Sequence, residues 1–204
     1  MKIAILGFGL EGKSLLKYLK KSPKFKKSDI FILDKKNDKN YLENLNRFDI
    51  VFRSPGVPYN SPEIQKGVKK GVEFSSATKL FFDTIHEFKA QNSKLKTIII
   101  GITGTKGKGT TATLLYKILK ACPEQGRRVY LAGNIGKPAI EILPRLSALS
   151  PRKSAIVILE LSSFQLQDLN QSPDIAVALD TFPDHLDAHK NFKEYINAKT
   201  NIAK

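Results

Sequence analysis

The sequence is poor in cysteine, in tryptophan and in acidic residues. A single cysteine, Cys122, excludes an internal disulfide framework and a multi-cysteine metal cage, and it fits a reducing, cytoplasmic compartment. No run approaches the ~20 apolar residues that a membrane helix needs, so no membrane insertion is expected. The opening Met1-Lys2-Ile3-Ala4-Ile5-Leu6-Gly7 is interrupted too soon to be the apolar core of a signal peptide. The shortage of acid is pronounced: 34 Lys+Arg face 19 Asp+Glu, a net charge of +15. The densest basic cluster is Lys17, Lys20, Lys21, Lys24, Lys26 and Lys27. It has two readings, a nucleic-acid footprint and a solvated helix end with its loop. Tryptophan is absent, aromatics do not interleave with the lysines, and no nucleic-acid motif is present. The solvated surface is the favoured reading, and no nucleic-acid partner is expected.

What is present is ordinary globular material. Apolar residues make up 41% of 204 positions, enough for a real core in one large domain or two small ones. Short apolar runs alternate with amphipathic stretches. The runs Ile3–Leu6, Ile30–Leu33, Ile50–Phe52, Val72–Phe74, Thr97–Ile100, Val129–Ala132, Ala155–Leu159 and Ile175–Leu179 predict strands. Helices are predicted around Ser14–Leu19, Glu63–Lys70, Thr78–Phe88 and Ala112–Ala121. Alternating β and α elements predict an α/β fold of parallel sheets covered by helices. The polar stretch 89–94 reads as a linker, which places a domain boundary near residue 93: a first domain over 1–93 and a second over 94–204. Pro123–Arg128 is polar and breaker-rich and is expected to be a loop.

Two glycine-rich segments follow strands. The first, Gly7-Phe8-Gly9-Leu10-Glu11-Gly12, is a G-x-G-x-x-G between a strand and a helix, with Asp34 closing the next strand. Glycines there allow a tight turn and close backbone approach, and a helix N-terminus favours a phosphate. A dinucleotide site, a site for another nucleotide-linked ligand and a packing turn all satisfy that pattern. The second, Gly101-Ile102-Thr103-Gly104-Thr105-Lys106-Gly107-Lys108-Gly109-Thr110-Thr111, is more specific. Its glycines let successive N–H groups turn toward phosphates while Lys108 supplies a mobile positive charge, so an ATP phosphate loop is expected over Gly104–Thr111. Gly109 fills the slot after the lysine, which makes Thr110 the nearest hydroxyl for Mg²⁺ and Thr111 the next.

Carboxylates gather where such a loop would use them. Glu160 directly follows a predicted strand, at the sheet edge where open α/β sheets bind ligands, and its oxygens suit Mg²⁺, although taken alone a strand-end glutamate is equally well a surface acid. The run from Glu160 to Leu166 adds the hydroxyl of Ser162 and the amide of Gln165 as polar groups for a substrate. His185 stands in Asp184-His185-Leu186-Asp187 after another strand, and its two aspartate neighbours favour a functional role. His86 and His189 lack such company and are left unassigned, and Asn134 sits in a turn, Gly133–Gly136, where asparagine is usually structural.

Taken together and in this order, Gly101–Lys108, Gly133–Gly136, Glu160–Leu166, Asp184–Asp187 and Tyr195–Lys199 resemble the Mur ligase family of ATP-dependent peptidoglycan-precursor ligases. The N-terminal glycine loop and Ser54-Pro55-Gly56 fit as well, so the resemblance spans essentially the whole sequence. Glu-Leu-Ser-Ser-Phe-Gln-Leu at 160–166 points within the family to the step that adds D-glutamate.

The resemblance implies a Rossmann-like first domain that binds the UDP part of UDP-N-acetylmuramoyl-L-alanine through positions matching Leu10, Glu11, Asp34 and Lys35. It implies a central domain in which Lys108 holds the β/γ-phosphates of ATP and Thr110 is the Mg²⁺-linked hydroxyl. Glu160 and His185 would serve a second metal, and Asn134, Ser162 and Gln165 would line the muramoyl-alanine path. Lys199, in Tyr195-x-x-Ala198-Lys199, matches the family's carbamylated, metal-linked lysine. The implied catalytic set is Lys108, Glu160, His185 and Lys199, in a cytoplasmic monomer that uses ATP, Mg²⁺ and D-glutamate. The sequence departs from the family pattern in having Lys106 where asparagine is usual and Gly109 where Ser or Thr usually follows the loop lysine. The Lys-Gly-Thr order is closer to the related folylpolyglutamate synthetases, an alternative alongside a non-catalytic nucleotide-binding protein. The family has three domains, so this sequence is expected to hold the first and an incomplete second, and not to be a working ligase alone.

Overall fold

The computed structural model describes residues 1–91, 96–122, 126–150 and 153–204. They form two compact units, Met1–Ala77 and Thr78–Lys204.

In the first unit the strands are β1 (Lys2–Leu6), β2 (Asp29–Leu33), β3 (Ile50–Arg53) and β4 (Glu73–Ser75). All pair in parallel in the order β2-β1-β3-β4, with Ile3 opposite both Ile30 and Ile50. Helix α1 (Leu10–Lys21) follows β1 and α2 (Pro62–Lys69) precedes β4. Between β2 and β3 the chain makes turns and one 3₁₀ turn, Leu45–Arg47, in place of a full crossover helix. That segment still closes the core: Leu45 and Phe48 join Ala4, Leu6, Val51, Val57 and Ile64. The order places β1 and β3 side by side with their onward connections leaving in opposite directions, the switch point at which open α/β sheets form a ligand crevice.

The second unit repeats the principle with β5 (Lys96–Thr103), β6 (Arg127–Gly133), β7 (Ser154–Glu160) and β8 (Ile175–Ala178), parallel in the order β6-β7-β5-β8. Its helices are α3 (Ala77–Gln91, all but its first residue in this unit), α4 (Lys108–Ala121), α5 (Leu143–Ser147), α6 (Ser163–Leu166) and α7 (Phe192–Thr200). The central strands β5 and β7 are apolar on both faces, as a parallel sheet covered by helices requires. Ile100, Ile102, Ile156 and Ile158 pack with Ala112, Leu115 and Leu119 of α4. At the edge, β8 is largely exposed.

All eight strands fall where the apolar runs predict them, with end differences of one to three residues that reflect fraying. The two compact units divide after Ala77, within the first turn of α3. Within the second unit, Lys89 Nζ of α3 reaches both carboxylate oxygens of Asp174 at 2.7 Å, and Gln171 Nε2 donates to Asp83 of the same helix at 2.7 Å. The hydrophilic composition at 89–94 marks the end of this helix, and its residues 92–94 lie outside the described residues. Of the expected loop at 123–128, residues 123–125 lie outside the described residues too, while Arg127 and Arg128 open β6. No helix among the described residues is long and apolar enough to cross a membrane.

Candidate functional site

In the first unit the chain leaves β1 through Gly7, whose φ of +80° and close approach to Ser54 suit glycine alone. Ser54 N–H donates to Leu6 O and its hydroxyl to Gly7 O, at 2.9 and 2.7 Å, so the Ser-Pro-Gly turn after β3 braces the glycine loop. Asp34 braces it from the other side: its carboxylate accepts the Phe8 amide at 2.6 Å and the Lys36 amide at 2.9 Å. The amides of Lys36 and then Phe8 hold this carboxyl below the usual range. Leu10, 66% exposed, opens α1; Glu11 stands in its first turn and Lys35 is exposed beside Asp34. Through the Asp34–Phe8 bond the fold brings these four positions to the carboxyl ends of β1 and β2.

The second unit gathers its motifs at the carboxyl ends of β5, β7 and β8. Thr105 N–H donates to Asp180 O and Leu179 N–H to Thr103 O, which fixes the glycine loop against the segment after β8. Gly104 lies at φ +147°, and a Cβ there would press on Leu179. Gly107, at φ +80°, caps α4 with no side-chain partner, and exposed Lys106 and Thr110 with partly buried Gly109 and Thr111 complete the turn. Such a loop, with free first-turn amides at the start of a 14-residue helix, is built to receive an anion. Lys108 Nζ lies over the loop, donating to Gly104 O at 3.1 Å and Thr105 O at 2.8 Å.

Lys199 of α7 comes to the same carbonyl. Its Nζ donates to Gly104 O at 2.7 Å and lies 3.4 Å from Thr103 Oγ1 and 4.6 Å from the Tyr195 ring centre. The side chain is 5% exposed. Burial, then the charge of Lys108, lowers its pKa to about 8, against the opposing pull of Asp184 and Glu160. Two lysines and two carboxylates thus share one electrostatic neighbourhood. Glu160 is 4% exposed, and its carbonyl accepts the Asn134 amide at 2.9 Å. Gly133, at φ +105°, makes this approach possible, because any Cβ there would overlap the Glu160 carbonyl.

Ser162 and Gln165 have a local task. The Gln165 carboxamide accepts from Ser162 N–H at 3.0 Å while Gln165 N–H donates to Ser162 Oγ at 3.3 Å, a reciprocal capping box that starts α6. Gln165 is 2% exposed. His185 adopts a left-handed conformation at φ +52°, is half exposed, and meets Phe164 with ring centres 5.2 Å apart. Its Nε2 is 3.6 Å from Asp184, an exposed pair of little energetic weight.

Among the described residues no three Asp, Glu, His or Cys side chains are gathered around one point, so the protein alone forms no closed metal cage. The donor set still suits Mg²⁺, which keeps waters and phosphate oxygens and takes only one or two protein carboxylates. Glu160 offers such a carboxylate and Thr110 an exposed hydroxyl, whereas Lys199 as an amine offers no oxygen. Sequence reasoning passed over two residues that the fold brings to this place: Tyr195, whose hydroxyl bonds Thr105 Oγ1 at 3.0 Å, and His189, which is buried beside it. Tyr195 was visible as part of a motif; nothing in the spacing of His189 marks it as buried.

A family described as the Mur ligase middle domain matches residues 102–204. The UDP-N-acetylmuramoylalanine–D-glutamate ligase of Acetivibrio thermocellus is 35% identical over 98% of this chain and 43% of its own length. The protein of the same name from Symbiobacterium thermophilum is 41% identical over 79% of this chain and 32% of its own. A solved structure, the UDP-N-acetylmuramate:L-alanyl-gamma-D-glutamyl-meso-diaminopimelate ligase of Neisseria meningitides, covers 98% of this chain and 67% of its own at 14% identity and a TM-score of 0.45. The chain spans less than half the length of the two curated relatives. With the middle-domain match running from β5 to the last residue and covering the whole glycine-loop site, the chain belongs to the Mur ligase family.

Proposed function

We propose that this chain handles ATP and the UDP-linked substrate in a ligase that joins D-glutamate to UDP-N-acetylmuramoyl-L-alanine in peptidoglycan precursor synthesis. The observation that carries the reading is the convergence of Lys108, Lys199 and the Gly104 carbonyl at the mouth of the glycine loop, with Glu160 in the same neighbourhood. The D-glutamate step rests on the names of the relatives that match most of the chain.

A free carboxylate is a poor acylating agent because oxide is its leaving group. Attack of the substrate carboxylate on the γ-phosphorus of ATP breaks the bond to ADP and leaves an acyl phosphate. The amine of D-glutamate then adds to the acyl carbon, and the tetrahedral intermediate expels phosphate as the amine loses its proton. Such a transfer needs positioning and charge neutralisation more than covalent chemistry. Lys108 supplies positive charge to the β/γ-phosphate oxygens, and the glycine-loop amides bind them without reorganising. Mg²⁺ linked to the Thr110 hydroxyl, and a second metal served by Glu160 and His185, would neutralise further phosphate charge. Lys199 joins that set as a carbamate, in which its neutral amine has added CO₂ and released one proton. The first unit contributes Leu10, Glu11, Asp34 and Lys35 to the uridine end, while Asn134, Ser162 and Gln165 border the muramoyl-alanine path, Gln165 by holding Ser162 in place.

Nucleotide binding tests the reading directly. Titration of the chain with ATP and Mg²⁺ should give saturable binding, and Lys108→Ala should weaken it about 10–100-fold, as expected for losing a charge-assisted contact. Equal affinity in the variant would remove the phosphate-loop assignment. An acceptor screen with a full-length ligase carrying this chain, measuring phosphate release with UDP-N-acetylmuramoyl-L-alanine and different amino acids, tests the D-glutamate step.

A further inference from the structure

His189 is 2% exposed, yet its position is polar. Its Nε2 is 3.1 Å from the hydroxyl of Ser163, itself 2% exposed, while Nδ1 has no hydrogen-bond partner among the described residues. An imidazole with one partner for two nitrogens favours the neutral form: the cation would bury a second N–H donor unpaired, and burial lowers its pKa in the same direction. If packing alone were required here, a phenyl ring would fill the space without an orphaned nitrogen. The Ser163 bond is what the imidazole adds.

Its ring faces make the remaining contacts. His189 stacks on Phe164 with centres 5.3 Å apart and planes 17° from parallel, and Tyr195 meets it nearly edge-on at 5.3 Å. Phe164 carries His185 on its other contact. The Tyr195 hydroxyl bonds Thr105 Oγ1, and that same oxygen accepts the Phe182 amide at 2.9 Å. From this geometry we infer that His189 is a positioning residue of the glycine-loop site: clamped by Ser163, it sets the Tyr195 ring and, through the Tyr195 hydroxyl, the Thr105 side of the loop. The inference rests on the phosphate-loop reading for its purpose, but its geometry stands without any nucleotide.

The ligand-free chain therefore supplies the test. Amide hydrogen exchange is followed at Phe182 and Thr105, with Ile158 in the middle of β7 as the reporter of global opening. His189→Phe keeps a ring and loses the hydrogen bond; His189→Gln keeps a nitrogen able to reach Ser163. In His189→Phe, exchange at Phe182 and Thr105 should accelerate about tenfold while Ile158 stays near its original rate, and His189→Gln should restore most of the protection. Ser163→Ala should reproduce the His189→Phe effect and add little to it in the double variant, because both remove the same bond. Uniform acceleration at all three amides, or failure of glutamine to rescue, would reduce His189 to a packing residue and overturn the inference. If His189→Phe does not fold, Ser163→Ala decides on the same three amides. Wild-type ATP binding, measured separately, reports on the phosphate-loop reading alone.

Discussion

An amine buried against a second amine holds its proton less tightly than one in water. Lys199 is in this position, with a pKa of about 8 against an ordinary 10.5. Between those values the unfolded chain binds more protons than the folded one, so stability should climb as pH rises through that window. Below about 8 the full cost of burying an ammonium is present. Urea midpoints measured from about pH 7 to pH 10 should show that climb, and Lys199→Met should flatten it. A climb of equal slope in the variant would assign it to another group. The neutral amine is also the form that adds CO₂, so under ¹³C-labelled bicarbonate a carbamate signal should grow through the same window and vanish in Lys199→Ala. At this scale the sequence speaks where a motif constrains the residue type, as in the glycine loop around Lys108. It was least informative where burial decides the role. Gln165 reads as a substrate ligand in one dimension and proves also to be half of a capping box. His189 reads as nothing and proves to be packed between Phe164 and Tyr195.

Strands and loops carry the site because the parallel sheet delivers every βα loop of the second unit to one edge. Gly133 shows how narrow the tolerance is. At φ +105°, with the Glu160 carbonyl where a Cβ would stand, Gly133→Ala must push β6 away from β7 or twist the turn that carries Asn134. We expect a loss of roughly 3 kcal/mol or more in urea denaturation, because backbone strain and a backbone clash add. Gly136→Ala in the same turn meets only the distant Leu131 carbonyl, at 3.5 Å, and should lose less despite its φ of +75°. Equal losses would mean that the turn, and not the approach to Glu160, sets the cost. Elements were legible because period and composition are local properties: the apolar run at 155–159 announces a strand buried on both faces, and the run at 97–100 opens a strand that is buried along most of its length. The α3 assignment was not local. Its polar contacts reach Asp174, 85 residues from Lys89, and Gln171, 88 residues from Asp83.

Charge is the property that belongs to the whole molecule. A surplus of fifteen positive charges attracts polyanions whatever the protein is for. Any binding of this chain to duplex DNA should therefore lack sequence preference and fall by about 10³-fold or more between roughly 50 and 200 mM salt, as read by fluorescence anisotropy. Salt-resistant, sequence-selective binding would contradict the solvated-surface reading of the lysine cluster. The division of labour between sequence and fold follows from the range of the forces involved. Period, turn chemistry and motif spacing act over a few residues, so the strands, the two glycine loops and the α/β class are legible in one dimension, and the family enters through the resemblance of the motifs. Strand order, the allegiance of α3, the pairing of His189 with Ser163 and the convergence of Lys108 and Lys199 on one carbonyl depend on residues tens of positions apart. Those were decided only when the sheets packed and burial was assigned, because desolvation and hydrogen-bond geometry do not exist for a side chain until its neighbours are in place.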